Sequence, residues 1–264
     1  FLLLYIMSKK ISNKKKLPKK KIFTLRHAFK LKTEDKDKWR KSQRYKENAF
    51  DTPLSKYGFE NARRTGIEYV KLHNKKLIDL TKTKYIYSSP LTRCVQTAIE
   101  VIKIVKSKLN HDLKLRLDSR LLEGAGLCKI IKFFGDKPIT VSPKYEIVGG
   151  KKYYTELDSK LQFPNLLKMY AEYIDPTYKH ITNCGIELPE VLAKRIIKGI
   201  NTIIKLESHL ILMVGHANLN YLGYSYFLQL NDVSGVRPLF SNDITSTSMT
   251  VGYEFNPNEK NRKK

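Results

Sequence analysis

The sequence predicts an α/β fold, a three-layer sandwich with a mostly parallel central sheet and helices on both faces, and three observations support this. Short apolar runs that each stop at polar residues recur along the chain, and stretches of helical period separate them. The composition, 41% hydrophobic and 28% charged over 264 residues, suits one globular domain or at most two small ones and excludes disorder as the main state.

Taken in order, residues 1–21 come first and read as a lysine-rich mobile arm. Residues 1–22 hold eight lysines and no acid, and Pro18 interrupts them, so the segment cannot bury enough apolar area to offset its ordering entropy. The opening Phe1-Leu2-Leu3-Leu4-Tyr5-Ile6-Met7 is too short for the apolar region of a signal peptide and has no basic segment before it. Met7 is a candidate start, and an anchor upstream of residue 1 is the open alternative.

The ordered domain is expected over residues 22–255. Its first strand is Ile22-Phe23-Thr24-Leu25, ending at Arg26-His27. Pro53-Leu54-Ser55 then leads into a helix marked by Phe59, Ala62, Gly66 and Val70, with Ser55 as its N-cap. Tyr85-Ile86-Tyr87 is the second strand and stops at Ser88-Ser89-Pro90. Leu91, Val95, Ala98, Ile102, Val105 and Leu109 follow at spacings of four and three, which puts one apolar stripe on a helix and leaves Lys103, Lys106 and Lys108 facing water. Residues 129–185, broken by Gly135, Pro138, Pro143, Gly149-Gly150, Pro164 and Pro176, read as an irregular insertion over one end of the sheet, above the active site. Leu192, Ile196, Ile200 and Ile203 mark a third helix before the clearest strand, Leu210-Ile211-Leu212-Met213-Val214, which ends at Gly215-His216. Residues 256–264 form a basic tail.

The formal charge of +25 points to an anionic partner without naming one. Removing the arm and the tail leaves +14 on the body, and only 11 of the 50 basic residues are arginine, fewer than base readout or phosphate clamping favours. Electrostatic binding of anionic surfaces, nucleic acid included, is therefore assigned to the lysine arm alone, beside the plainer reading of a solvated lysine surface. Three widely spaced cysteines make neither a disulfide framework nor a zinc cluster, and no apolar run approaches the ~20 residues that span a bilayer. A reducing, cytoplasmic location is the expectation.

In open α/β sheets the ligand site lies beyond the carboxyl ends of the strands. Three strand ends here deliver Arg26-His27, the turn leading to Arg93, and His216. Two imidazoles and two guanidinium groups in one crevice suit transfer of a phosphoryl group to a ring nitrogen. The nucleophile is neutral, and fixed donors surround the charged equatorial oxygens. Ser88 and Ser89 have the plainer reading of helix caps, and His73, His111, His180 and His209 that of structural residues. No cysteine has the spacing to arginine of a cysteine phosphatase, and no carboxylate cluster has metal-ligand spacing, so no metal and no cofactor is expected.

Leu25-Arg26-His27-Ala28, then Ser88-Ser89-Pro90-Leu91-Thr92-Arg93-Cys94-Val95-Gln96-Thr97-Ala98, then Val214-Gly215-His216-Ala217 resembles the histidine phosphatase superfamily, of phosphoglycerate mutase-like fold. Asp51-Thr52-Pro53-Leu54 with Gly58 matches its intervening segment. The likeness covers residues 22–125 and 186–255. It is greatest to the subgroup of the suppressor of T-cell receptor signalling and ecdysteroid-phosphate phosphatase domains. The resemblance implies a metal-independent phosphomonoester hydrolase with His27 as nucleophile through a phosphohistidine, and Glu123 as proton donor at the end of Leu113–Glu123. Arg26, Lys30, Arg93 and His216 would hold the phosphoryl group. It implies a phosphorylated substrate, either protein phosphotyrosine or a small phosphomonoester, and a homodimer like close relatives of that subgroup. Three departures bear on activity: Ala28 replaces a glycine, Gly124 an aromatic, and Lys30 an arginine. Ala28 and Gly124 motivate the alternative of a catalytically impaired phosphate-binding or scaffolding module.

Overall fold

The computed structural model describes residues 19–47, 51–123, 145–148, 151–154, 168–178, 189–223, 236–240 and 250–255. Its centre is a six-stranded sheet of order β3-β2-β6-β1-β8-β7. The strands are β1 (Lys20–Arg26), β2 (Tyr85–Ser88), β3 (Lys114–Leu117), β6 (Leu210–Gly215), β7 (Val236–Phe240) and β8 (Thr250–Phe255), while β4 (Tyr145–Val148) and β5 (Lys151–Tyr154) pair in a separate two-stranded ribbon. The ladders β3-β2, β2-β6 and β6-β1 are parallel, and β1-β8 and β8-β7 are antiparallel. The sheet is thus mostly parallel, as expected, with an antiparallel edge.

Side-chain alternation explains why the strands read as continuous apolar runs. Phe23, Leu25, Leu210, Leu212 and Val214 point to one face, and Ile22, Ile211 and Met213 to the other, and both faces are buried. Two helices, α4 (Lys56–Asn74) and α5 (Thr92–Leu109), cover the first face, and α6 (Pro189–Leu206) covers the second through Ile196, Ile200, Ile203 and Ile204. Each such fully buried aliphatic side chain contributes about 1.5–3 kcal/mol of transfer free energy. Gly66 lets α4 and α5 approach closely, since a Cβ there would stand 2.9 Å from Ile104 Cβ. Three short helices, α1 (Leu31–Glu34), α2 (Lys36–Lys41) and α3 (Gln43–Glu47), follow β1, with Trp39 fully buried.

Two details differ from the sequence reading. β1 begins at Lys20 and takes in Lys20 and Lys21, which the apolar pattern assigned to the arm. Their backbones pair with Phe255 and Glu254 of β8, and Lys21 also pairs with Leu210 of β6, so ladder hydrogen bonds extend the strand beyond its apolar stretch. α5 is buried almost all round from Thr92 to Ile102 because it lies between sheet and α4, and its buried Glu100 is paired with Arg63 and Lys103. Residues 1–18 of the arm, the tail and Gly124 lie outside the described residues, as does most of the 129–185 insertion. Its described return, residues 168–178, is bridged to the β3 edge by Leu115 and Ile174. Among the described residues no helix is long and apolar enough to cross a membrane.

Candidate active site

Parallel strands β1, β6 and β2 end side by side, so His27, His216 and the Ser88-Ser89 turn leave the sheet at one edge. The His27 backbone N–H donates to Gly215 O at 2.9 Å and that of Ser89 to Val214 O at 2.9 Å, which fixes all three ends in one register. The two imidazole rings stand 5.3 Å apart, inclined at 66°.

His27 is 2% exposed, and its Nδ1 lies 2.8 Å from Ala28 O. A carbonyl oxygen can only accept, so Nδ1 carries the proton and the Nε2 lone pair is left for a substrate. Burial, then the charge of Arg93 and the neighbouring His216, hold the ring's pKa well below its ordinary value, which keeps it neutral. Ala28 does not crowd this nitrogen: its methyl packs with Leu54 and Ala62 toward α4, and its N–H donates to Thr97 Oγ1 at 3.0 Å.

His216 is buried, with Nε2 3.0 Å from Ser89 Oγ and Nδ1 3.5 Å from Arg93 Nη2 and 3.7 Å from Glu123 Oε2. Burial and the cations Arg93, Lys30 and Arg26 depress its pKa strongly as well. Because a hydroxyl both gives and takes a proton, Ser89 can pair with His216 Nε2 in either tautomer of the ring. Ser89 therefore serves the site, whereas the N-cap residue of α5, Leu91, has no side-chain cap; Asp51 instead accepts from Thr92 N–H at 2.6 Å and from its hydroxyl at 2.5 Å. This remote carboxylate anchors the helix start that carries Arg93. Cys94 Sγ lies 3.5 Å from His216 Nε2, and burial pushes its thiol up to about 12, so it is a filler and no nucleophile.

Arg93, 3% exposed, donates from Nη2 to Glu123 Oε2 at 2.6 Å. Burial raises the Glu123 pKa, but Arg93 foremost, with Lys30 beside it, outweighs it, and the carboxyl sits below its ordinary value as the anion. Arg26 has its Nε buried with no hydrogen-bond partner among the described residues. The Lys30 ammonium acts on both His216 and Glu123, which places its charge at the same crevice. All six expected residues thus converge. Arg195, absent from the sequence reading, belongs to the assembly: from α6 it donates to the carbonyls of Ser119 (3.0 Å), Arg120 (2.8 Å) and Leu122 (3.2 Å), the turn that leads into Glu123. His73 and His111 make structural bonds to Leu80 N–H and Thr83 O, and His180 lies outside the described residues. Among the described residues no cluster of three His, Cys, Asp or Glu could hold a metal.

No curated protein matches the sequence. Among solved structures, the ecdysone phosphate phosphatase of Bombix mori in complex with tungstate superposes with a TM-score of 0.57 at 19% identity, over 88% of each chain, a likeness of fold. A phosphoglycerate mutase from Bacillus anthracis aligns with a TM-score of 0.41 and 20% identity over 83% of this chain and 82% of its own. Residues 25–125 match the family described as histidine phosphatase superfamily (branch 1), and this span, from β1 through Glu123, holds five of the six converging side chains. Over that stretch the chain is similar to the histidine phosphatase superfamily.

Proposed function

We propose that the protein hydrolyses phosphomonoesters through a phosphohistidine on His27. The observation that carries this is the hydrogen bond from His27 Nδ1 to Ala28 O, which leaves a neutral Nε2 lone pair in a crevice ringed by cations. Nε2 attacks phosphorus, the ester P–O bond breaks, and the leaving oxygen takes a proton from Glu123. Glu123 then removes a proton from water, whose oxygen attacks the phosphohistidine. The N–P bond breaks and phosphate leaves, with His27 neutral again. Arg26, Arg93, Lys30 and His216 stabilise the equatorial oxygens, over which the charge of the transferring group is spread in the transition state.

In the resting site Glu123 is ionised against Arg93. A phosphate dianion competes for Arg93, and its own negative charge disfavours the carboxylate beside it. Substrate entry thereby raises the Glu123 pKa and readies the acid. The alternative of an impaired phosphate-binding module loses one of its motives, since the Ala28 methyl is packed away from the pocket.

The test is turnover of a generic aryl phosphate. We expect activity that persists in EDTA and is lost in His27→Ala; a fully active His27→Ala protein, or activity abolished by EDTA, overturns the reading. A phosphotyrosine peptide and a small alkyl phosphate, assayed side by side, separate the two substrate classes.

A further inference from the structure

Gln96 lies on α5 just beyond Arg93 and is buried, yet it belongs neither to the apolar stripe of that helix nor to the phosphate clamp. Its side-chain amide is engaged at both ends. Oε1 accepts from Leu54 N–H at 2.8 Å, and Nε2 donates to Tyr170 Oη at 3.1 Å. A backbone N–H only donates, so the carbonyl end of the amide must face Leu54 and the NH₂ end Tyr170.

Leu54 stands opposite Lys30 in an isolated antiparallel bridge, flanked by hydrogen bonds from Leu31 N–H to Pro53 O at 2.9 Å and from Ser55 N–H to Phe29 O at 3.0 Å. In such a pair the two facing residues exchange no bond with each other, so the Leu54 N–H points away from Lys30 and out to Gln96. Lys30 is also the N-cap of α1, a helix of four residues with no side-chain cap, too short to hold its own start. The Lys30 ammonium ends a flexible four-carbon stem, so where it can reach depends on where this backbone stands. Its charge acts on both His216 and Glu123. Tyr170 belongs to the return of the 129–185 insertion and packs against the core beside α5. That return is tied to β3, since Leu115 N–H donates to Tyr173 O and Asp175 N–H to Leu115 O, each at 2.8 Å.

We infer that Gln96 is a positioning residue for the phosphate site: held by Tyr170 of the insertion's return, it fixes the bridge between Leu54 and Lys30 and thereby the Lys30 ammonium against a bound phosphoryl group. The inference rests on the reading of Lys30 as a phosphate ligand under the proposed function, and not on turnover.

Calorimetric titration of the full chain with inorganic phosphate tests it. Lys30→Ala should weaken phosphate about tenfold, and Gln96→Leu, which keeps the bulk and removes both bonds, about three- to tenfold. In the Lys30→Ala background Gln96→Leu should cost less than about twofold more, because two residues that act through one contact are not additive. Tyr170→Phe leaves the Gln96 acceptor on Leu54 and should weaken phosphate about twofold, again only where Lys30 is present. It carries the test if circular dichroism shows that Gln96→Leu does not fold. Parent-like phosphate affinity in Gln96→Leu, or a loss of the same size with and without Lys30, overturns the inference; where Gln96→Leu does not fold, either result in Tyr170→Phe does so. A parent protein that binds no phosphate overturns it as well. The hydrolytic reading fails separately. Coupled losses of phosphate in a protein without His27-dependent turnover uphold the positioning role and remove that reading, and additive losses in a protein whose turnover needs His27 do the reverse.

Discussion

His27 and His216 are buried side by side and held neutral by burial and by shared cations, and this has consequences that can be measured. Below about pH 6.5 the unfolded chain takes up protons on both rings while the native state does not. The unfolded state then binds more protons, so stability rises with pH in that window and falls as the pH drops below it, at a limiting slope of about 2.7 kcal/mol per unit for two groups. Thermal denaturation from pH 7 to 5 should reveal this, with the slope roughly halved in His27→Gln; equal slopes in the two proteins would contradict it. Glu123 has a depressed pKa, so its contribution is present above its ordinary value and is lost only at lower pH. In the proposed reaction its proton matters most for a poor leaving group. Glu123→Gln should lower kcat by about 10²–10⁴ for an alkyl phosphate and far less for p-nitrophenyl phosphate, as parallel kinetics on the two substrates will tell.

Among elements, the turn into Glu123 depends on α6 rather than on its own residues. Arg195 closes three of its carbonyls, and Gly199 lets the helix come near enough, since a Cβ at Gly199 would stand 2.8 Å from Arg120 Cβ. In the proposed reaction Arg195 is thus a positioning residue. Arg195→Ala should lower kcat about tenfold on an alkyl phosphate, a cost in line with a small displacement of the acid, with KM little changed. The loss should be smaller on p-nitrophenyl phosphate and partly restored in Arg195→Lys. Equal losses on both substrates would mean general destabilisation instead. A similar logic applies to Asp51, whose carboxylate replaces a local cap at the start of α5. Its match to the family segment was visible in sequence, but its hydrogen-bond partner was not, because forty-one residues separate it from Thr92.

Across the whole molecule, parallel pairing gives the sheet a polarity: β1, β6 and β2 carry His27, His216 and Ser89 to one end and leave Lys19, Lys21 and Leu210 at the other. The sequence determined a good deal of this by itself. Apolar runs of strand length located β1, β2 and β6, a spacing of three and four located α5, the polar residues directly after two of the runs supplied His27 and His216, and the turn after the third led to Arg93. These signals are local, set by the period of one element and by the rule that a strand's end meets solvent. Only the tertiary structure decided the rest. The antiparallel partners of β1, the carboxylate that caps α5, the hydroxyl that steadies His216 and the guanidinium behind Glu123 are all contacts between distant segments. Their residue types, Asp, Ser and Arg, are common on any surface, and what makes them part of the site is burial against a partner that no periodicity along the chain encodes.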